Sequence, residues 1–347
     1  MSIEITTLDG TVREQWDKYV SRSPHGTIFH RYAALKAQED CSNTSLHPLV
    51  GYKGEEPIGV FPVFSAQRGP FTFAFSPPYE LHVPNLGPAL LNMQKLKQRK
   101  REKRHRRFID GCLEWITTEL ETSYVSIRTG WRYDDLRPFT WNEFDVQPSY
   151  TYVIDLETDE DELLERFSST TRKTVRNNLD EEYAVTTGGR EAVEWIMERV
   201  RERYHHQEKT ATISTGFVVD LYDRLPEGTV RPYILSVDGE PVTGTILLED
   251  DGIAHRWQGG AKPDVDLPAN ELLEWHMLTD AMERGIREYE MVDANEPRIN
   301  KWKAKFAPDV RTYFTMKRSG PGVEAAVQLY LRLRDQSELV TKLAPGR

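Results

Sequence analysis

The chain has only two cysteines, Cys41 and Cys112, in 347 residues. They stand far apart and in none of the spacings used by zinc sites or dithiol motifs. That excludes a disulfide framework and predicts a reduced, cytoplasmic protein. Long apolar runs are also missing: no stretch approaches the roughly 20 residues that a membrane-crossing helix needs. The opening MSIEITTLDG lacks a basic region followed by an apolar one, so no export signal is visible. The nine histidines show no ligand spacing, and adjacent rings such as His205 and His206 diverge on a helix, so no metal is expected.

Positive charge is concentrated in one place. The net charge is −10, yet residues 95–107, KLKQRKREKRHRR, hold nine Lys/Arg against one Glu, leaving the remainder at −18. An acidic body with one basic helix excludes a generally basic nucleic-acid binder and poses a local question. The run could track the phosphates of a tRNA, lie on an anionic membrane as a peripheral contact, or be a solvated helix face. Aromatic residues are absent from it until Phe108, so base stacking is not indicated.

Hydrophobic residues make up 38% of the chain and aromatics 10%, enough for packed cores, and the length suits two domains. Periodicity predicts α/β (α+β) organisation: strands over 3–8, 47–52, 58–64 and 124–128, and helices over 12–21, 29–39 and 93–119. Residues 71–91 read as irregular strands and loops, and 130–145 as a loop. Past a boundary near 146 come a strand over 151–156, helices over 159–167, 191–206 and 217–225, strands over 230–237 and 242–249, and a strand over 311–316. A last helix is expected over 323–334. GEEPIG (Gly54–Gly59) and GEPVTG (Gly239–Gly244) occupy the same place in each half. They are either two hairpin turns alike by coincidence or traces of one unit used twice. The expected domains are 1–145, 146–320, and a helix and tail over 321–347.

The stretch His255–Pro308 is the richest in polar residues placed at element ends. IAHRWQGGA reads as a strand opening into a loop. Asn270 then stands as an N-cap before Leu272, Leu273, Trp275, Leu278 and Met282, a helix stopped by Gly285. Tyr289–Val292 is a short strand ending on Asp293, followed by the short helix NKWKAKF and Pro308.

Pro268, Asn270, Leu272, Leu273, Trp275, Gly285, Asp293, Trp302, Lys303, Phe306 and Pro308, in this spacing, resemble the end of a FemAB-like (Fem-type) aminoacyltransferase of the GNAT superfamily, and the resemblance covers roughly Trp16 to Tyr313. It implies two tandem GNAT-like domains, each a mixed sheet flanked by helices, with catalysis in the second. It also implies transfer of an activated acyl or aminoacyl group onto a primary amine. The family's matching lysine makes Lys303 the candidate that stabilises charge developing on the acyl oxygen. Asp293 becomes a candidate to orient Lys303 or accept a proton, and Phe306 to pack beneath it. Arg172, with Lys173, and Arg176 match a basic helix that binds a donor or acceptor phosphate. Trp257, Gln258, Asn270, Asn295 and Trp302 are further candidate pocket residues.

Read without the family, each has a plainer alternative. Lys303 is then a surface lysine beside Lys301 and Lys305, Asp293 and Asn295 are helix caps, Trp257 is a sheet aromatic, and the arginines form a solvated face. GNAT proteins carry a glycine-rich loop for the pyrophosphate of coenzyme A. This chain has KPDVDLPANE instead, which argues for aminoacyl-tRNA over acyl-CoA as donor and for no tightly bound cofactor. An acyl-CoA-dependent N-acetyltransferase and a non-catalytic scaffold binding RNA or membrane through 95–107 are the alternatives.

Overall fold

The computed structural model describes residues 3–8, 13–206, 213–260, 265–320 and Val323. In the first half β1 (Glu4–Thr7) leads to α1 (Arg13–Val20) and α2 (Tyr32–Ser42). β2 (Ser45–Lys53) and β3 (Glu56–Arg68) form a hairpin turning at Gly54, whose φ of 62° glycine adopts without strain. β4 (Phe71–Ser76) and the short β5 (Ala89–Leu90) precede α3 (Gln98–Glu119), which buries Phe108, Ile109, Cys112, Leu113 and Ile116 at helical spacing. β6 (Tyr124–Arg128) and α4 (Arg137–Trp141) complete this half.

The second half opens with β7 (Asp145–Asp155). α5 (Glu160–Arg166) is capped by Asp159 and α6 (Ser169–Asn178) by Ser168, each side chain accepting from a first-turn N–H. β8 (Ala184–Thr187), α7 (Arg190–His206), α8 (Thr215–Arg224), β9 (Val230–Val237) and β10 (Glu240–Asp250) follow. Asp238 and Gly239, at φ 52° and 83°, make the β9–β10 turn. Then come β11 (Ile253–Gly259), α9 (Ala269–Glu283), β12 (Glu288–Glu290), α10 (Pro297–Lys303) and β13 (Asp309–Ser319).

All the strands join one sheet in the order β1-β2-β3-β4-β6-β13-β7-β12-β11-β10-β9-β8, with β5 on β3. The order repeats a unit: each half has antiparallel hairpins and one parallel pair, β4–β6 in the first and β11–β12 in the second. β13 lies between the halves, pairing Thr315–Ser319 with β6 and Asp309–Lys317 with β7. The last strand of the second half therefore stitches both into one sheet.

On one sheet face, α3 covers Leu49, Phe61 and Val125 of the first half, while α9 covers Leu247, Ala254 and Tyr289 of the second. The other face carries a core common to both halves, in which Trp16, Phe29 and Leu35 meet Ile196, Phe217 and Trp257. A fully buried side chain of this kind contributes about 1.5–3 kcal/mol. An exposed ion pair such as Arg224–Asp40, at 2.8 Å, contributes about 0–1 kcal/mol. Apolar burial therefore joins the halves.

Several local expectations change. The helix expected over 93–119 starts at Gln98, because Met93 and Leu96 are held in a turn after Asn92, which has a left-handed φ of 57°. The loop 130–145 contains α4 and runs into a β7 that starts at Asp145, not at residue 151. Pro268, not Asn270, occupies the cap position of α9. Asn270 lies one residue inside the helix, where its Oδ1 accepts from Thr243 Oγ1 at 2.8 Å. The strand expected over 289–292 ends at Glu290. The helix over 323–334 lies outside the described residues apart from Val323.

Candidate active site

The site begins where two strands part. β11 and β12 pair in parallel over three positions, Ile253↔Glu288, Ala254↔Tyr289 and His255↔Glu290. Past these, β11 stays on β10, with Gln258 opposite Ile246 and Gly259 opposite Thr245. The other chain stays on β7: Met291 N–H donates to Tyr152 O at 2.8 Å and Ala294 N–H to Tyr150 O at 2.7 Å. A gap opens between Arg256–Gly259 and Met291–Asp293. At its rim Gly259 has φ 139°, and a Cβ there would sit 2.5 Å from Gly244 O, so a side chain has no room.

Lys303, at the end of α10, reaches this gap although it is only 5% exposed. Its Nζ donates to Val292 O at 2.5 Å and Asp293 O at 2.6 Å. Val292 and Asp293 have φ of 30° and 68°, a left-handed pair that aims both carbonyls at the ammonium. A β-branched residue there is an outlier of a kind that clusters at functional sites. Burial, with Arg256 nearby, pulls the Lys303 pKa down to about 8. An ammonium has three donors, and two of the three meet carbonyls.

Beneath it lies a buried charged network. Arg256 Nε donates to Glu274 Oε2 at 2.6 Å, and Tyr289 OH to Glu274 Oε1 at 2.8 Å. Glu274 is fully buried, which a carboxylate tolerates only when paired in this way. The Arg256 guanidinium also stacks 5.1 Å from the centre of the Trp302 ring. Trp302 Nε1 donates to Glu271 Oε1 at 3.2 Å, as does Lys305 Nζ. Phe306 is fully buried, edge-on to Trp302 at 5.0 Å and to Phe167 at 5.2 Å. Arg203 on α7 donates to the carbonyls of Gly259 and Gly260 at 2.7 and 2.9 Å, fixing the far rim.

Other predicted residues fall elsewhere. The Asp293 backbone carbonyl, not its carboxylate, meets Lys303. The exposed carboxylate accepts from Asn295 Nδ2 at 2.6 Å, and Asn295 in turn bonds both backbone groups of Tyr150, clamping the loop to β7. Neither residue caps α10; Glu296 stands there. Trp257 points to the opposite sheet face from Arg256 and Gln258. It is 7% exposed, edge-on to Phe29 and Phe217, with Nε1 on His82 O at 3.2 Å, so it is a core residue between the halves. Gln258 lies at the gap, half-buried. Arg172 and Arg176 both pair with Glu165 at 2.7 Å on the α5–α6 surface, and Lys173 is exposed on the same helix.

On the Trp257 side of the sheet is a second polar cluster that sequence reading passed over. His255 Nδ1 lies 2.6 Å from Glu290 Oε2, and Thr151 Oγ1 donates to Glu290 Oε1 at 2.8 Å. All three are buried. Their signal was present as charge in an apolar context: His255 inside IAHRW, Glu290 inside EYEM, and likewise Glu274 inside LLEWHML. Among the described residues no group of three or more His, Cys, Asp or Glu could hold a metal ion, and no helix is long and apolar enough to cross a membrane.

Residues 165–304 match the acetyltransferase (GNAT) domain family. No curated protein matches the chain. The fold is that of FemX, with 12% identity and a TM-score of 0.71 over 90% of this chain and 96% of that one. It is also similar to a conserved protein of unknown function from Bacteroides thetaiotaomicron, with 12% identity and a TM-score of 0.58 over 91% of this chain and 99% of that one. L-PGS from Bacillus licheniformis shows 11% identity and a TM-score of 0.57 over 94% of this chain and 97% of that one. The two-fold strand order, the GNAT domain over the splayed strands and the likeness to FemX give the chain a tandem GNAT-like fold similar to that of FemX.

Proposed function

We propose that the chain transfers an activated acyl or aminoacyl group onto a primary amine, with the acyl carbonyl oxygen directed at Lys303 Nζ. The observation that carries this reading is a buried ammonium at the mouth of two parted strands, with two of its three donors fixed by the Val292 and Asp293 carbonyls. The third donor is positioned for an oxygen that gains negative charge as the carbonyl is attacked, and the site needs no rearrangement when it does. Arg256, neutralised by Glu274 and stacked on Trp302, holds its guanidinium on the same side. Asn295 holds the loop that presents the two carbonyls. Gln258 and Asn270 line the approach.

Aminoacyl-tRNA is the preferred donor, because residues 261–270, AKPDVDLPAN, contain no glycine to let a backbone close on a pyrophosphate. Arg172 and Arg176 are the proposed phosphate contacts. The basic residues Lys95, Lys97, Arg99, Lys100, Arg101 and Lys103, all exposed, are proposed to meet the phosphates of tRNA or of an anionic lipid. The match to an acetyltransferase domain favours acyl-CoA as the second reading. Thermal shift with acetyl-CoA, longer acyl-CoAs and charged tRNA separates the two: a donor at a hundred times its Kd stabilises by about 2.7 kcal/mol. Stabilisation by charged tRNA alone is expected. Stabilisation by an acyl-CoA alone moves the assignment to CoA-dependent transfer, and silence from all three removes the acyl-transfer reading.

A further inference from the structure

Between the halves, on the Trp257 face of the sheet, a cleft is lined by Pro24, His25, Asn85 and Tyr133 of the first half and by His255 and Glu290 of the second. We propose that this cleft seats the acceptor's primary amine, with His255 Nε2 taking its proton and Asn85 Oδ1 receiving one of its N–H groups. The inference rests on the acyl-transfer reading and names the part of the site that the reading leaves open.

Three observations converge. First, the His255–Glu290–Thr151 chain fixes the tautomer. Both Glu290 oxygens are engaged, one by the Thr151 hydroxyl and one by His255 Nδ1. A carboxylate at 2.6 Å holds the proton on Nδ1 and leaves the Nε2 lone pair to accept another. Second, Asn85 is 5% exposed and its Oδ1 has no hydrogen-bond partner. A buried carbonyl left bare is rare and marks a place for a donor. Third, the cleft offers no spare positive charge. Arg132 at its edge is paired with Glu288. His25 accepts from Leu90 N–H through Nδ1 at 3.3 Å, and burial holds its pKa near 4, so it is neutral. Acceptors without cations suit an amine or ammonium and repel nothing it carries, whereas a phosphate or carboxylate would find no partner.

The placement also serves the chemistry. Glu290 is the last paired residue of β12, and Val292 and Asp293, which hold Lys303, follow it after Met291. His255 and Arg256 alternate across β11, so the cleft and Lys303 lie on opposite faces of the sheet, and His255↔Glu290 is the last paired position before the strands part. The acceptor enters as an ammonium and gives one proton to His255 Nε2. Its lone pair forms the C–N bond at the donor carbonyl carbon. The carbon's bond to the ester oxygen or thioester sulfur breaks, and the electron pair leaves with that atom, which takes the second proton from nitrogen. His255 then returns its proton to solvent.

The test uses the full chain labelled with ¹³C in its histidine rings and L-alaninamide as probe, with N-acetyl-L-alaninamide as the control whose amine is blocked. The His255 signal is assigned by its absence in His255→Gln. Alaninamide is expected to shift it saturably, the blocked control is expected to leave it unmoved, and Asn85→Ala is expected to weaken the response at least tenfold. In a transfer assay with whichever donor stabilises the protein, His255→Gln is expected to lower kcat by roughly 10²–10⁴-fold. Donor-induced stabilisation is expected to be unchanged, with partial rescue by added imidazole. A wild-type His255 signal indifferent to alaninamide overturns the proposal, as does a folded His255→Gln variant with full turnover. If alaninamide binds in this way but no donor supports transfer, the acyl-transfer reading fails while the amine site stands.

Discussion

The molecule contains the same parallel strand pair twice, closed in one half and open in the other. In the first half β4 and β6 pair over four positions, Phe73↔Tyr124 to Ser76↔Ile127. Beyond them the intervening chain returns to fill the gap. Leu86 bridges Thr129, its N–H donating to Arg128 O at 2.9 Å, and Gly87 N–H donates to Ser76 Oγ at 3.0 Å. Leu86 and Val83 are buried there. In the second half no segment among the described residues bridges Arg256–Gly259 to Met291–Asp293, and a lysine stands in the gap instead. Among the described residues, what lies beyond the strands separates the two pairs: a returning segment in the first half and the Lys303 side chain in the second.

The largest effect expected from this contrast is on Lys303. Lys303→Met keeps the stem's volume and removes the ammonium. It should lower the transfer rate by about 10²–10³-fold, the loss typical of removing one donor to a developing oxyanion, while the melting transition remains cooperative. A variant of this kind with wild-type single-turnover rates would remove Lys303 from the chemistry. A polar deletion at the closed pair has the opposite profile. Ser76 Oγ donates to Pro62 O at 2.6 Å and accepts from Gly87 N–H, so Ser76→Ala strands two buried backbone groups. Stability should fall by about 1–3 kcal/mol, with turnover unchanged wherever the protein remains folded.

The fold was legible to the extent that it rests on local pattern. The helix faces of α3, α7 and α9 and the two glycine-marked hairpins all follow from spacing. Hidden from it was anything decided by partners distant in sequence. The register that carries β13 across both halves depends on pairing between residues more than 150 positions apart. That the Asp293 carbonyl rather than its carboxylate meets Lys303 depends on a left-handed pair, φ 30° at Val292 and 68° at Asp293, and no propensity predicts the first of these for a β-branched residue. Trp257 read equally well as pocket or core, because alternation along β11 separates it from Arg256 without saying which face holds the site. Arg172 and Arg176 read as free cations because Glu165, on the preceding helix, is brought to them only by the turn between α5 and α6.

The pH profile sharpens the contrast next. Lys303 is faced by Arg256, Asp293, Glu274 and Glu290, and its pKa falls from an ordinary 10.5 to about 8. If the ammonium stabilises the oxyanion, kcat should decline as pH rises through about 8. The stability sign is the reverse. Between about pH 8 and 10.5 the unfolded chain holds this proton and the folded chain does not, so the wild type gains stability with rising pH relative to Lys303→Met across that window. A base role for Lys303 predicts instead a rate that climbs through the same pKa. No corresponding feature is expected for Ser76→Ala.

The smallest expected effect lies at the edge of the open half. Arg172 and Arg176 share the Glu165 carboxylate, with all three side chains solvent-accessible, so the cluster as it stands carries one net positive charge. Such surface pairs contribute about 0–1 kcal/mol to stability, and Glu165→Gln should therefore leave the melting temperature nearly unchanged. If the two arginines bind a donor phosphate, the same substitution frees both forks and should tighten donor binding by less than about tenfold, since tenfold already requires about 1.4 kcal/mol. The gain should shrink between about 0.1 and 1 M salt, as the Debye length drops from about 10 to 3 Å. Donor affinity indifferent to both Glu165→Gln and salt would leave the arginines as a solvated ion cluster, and the open half would then hold its donor by the strand gap alone.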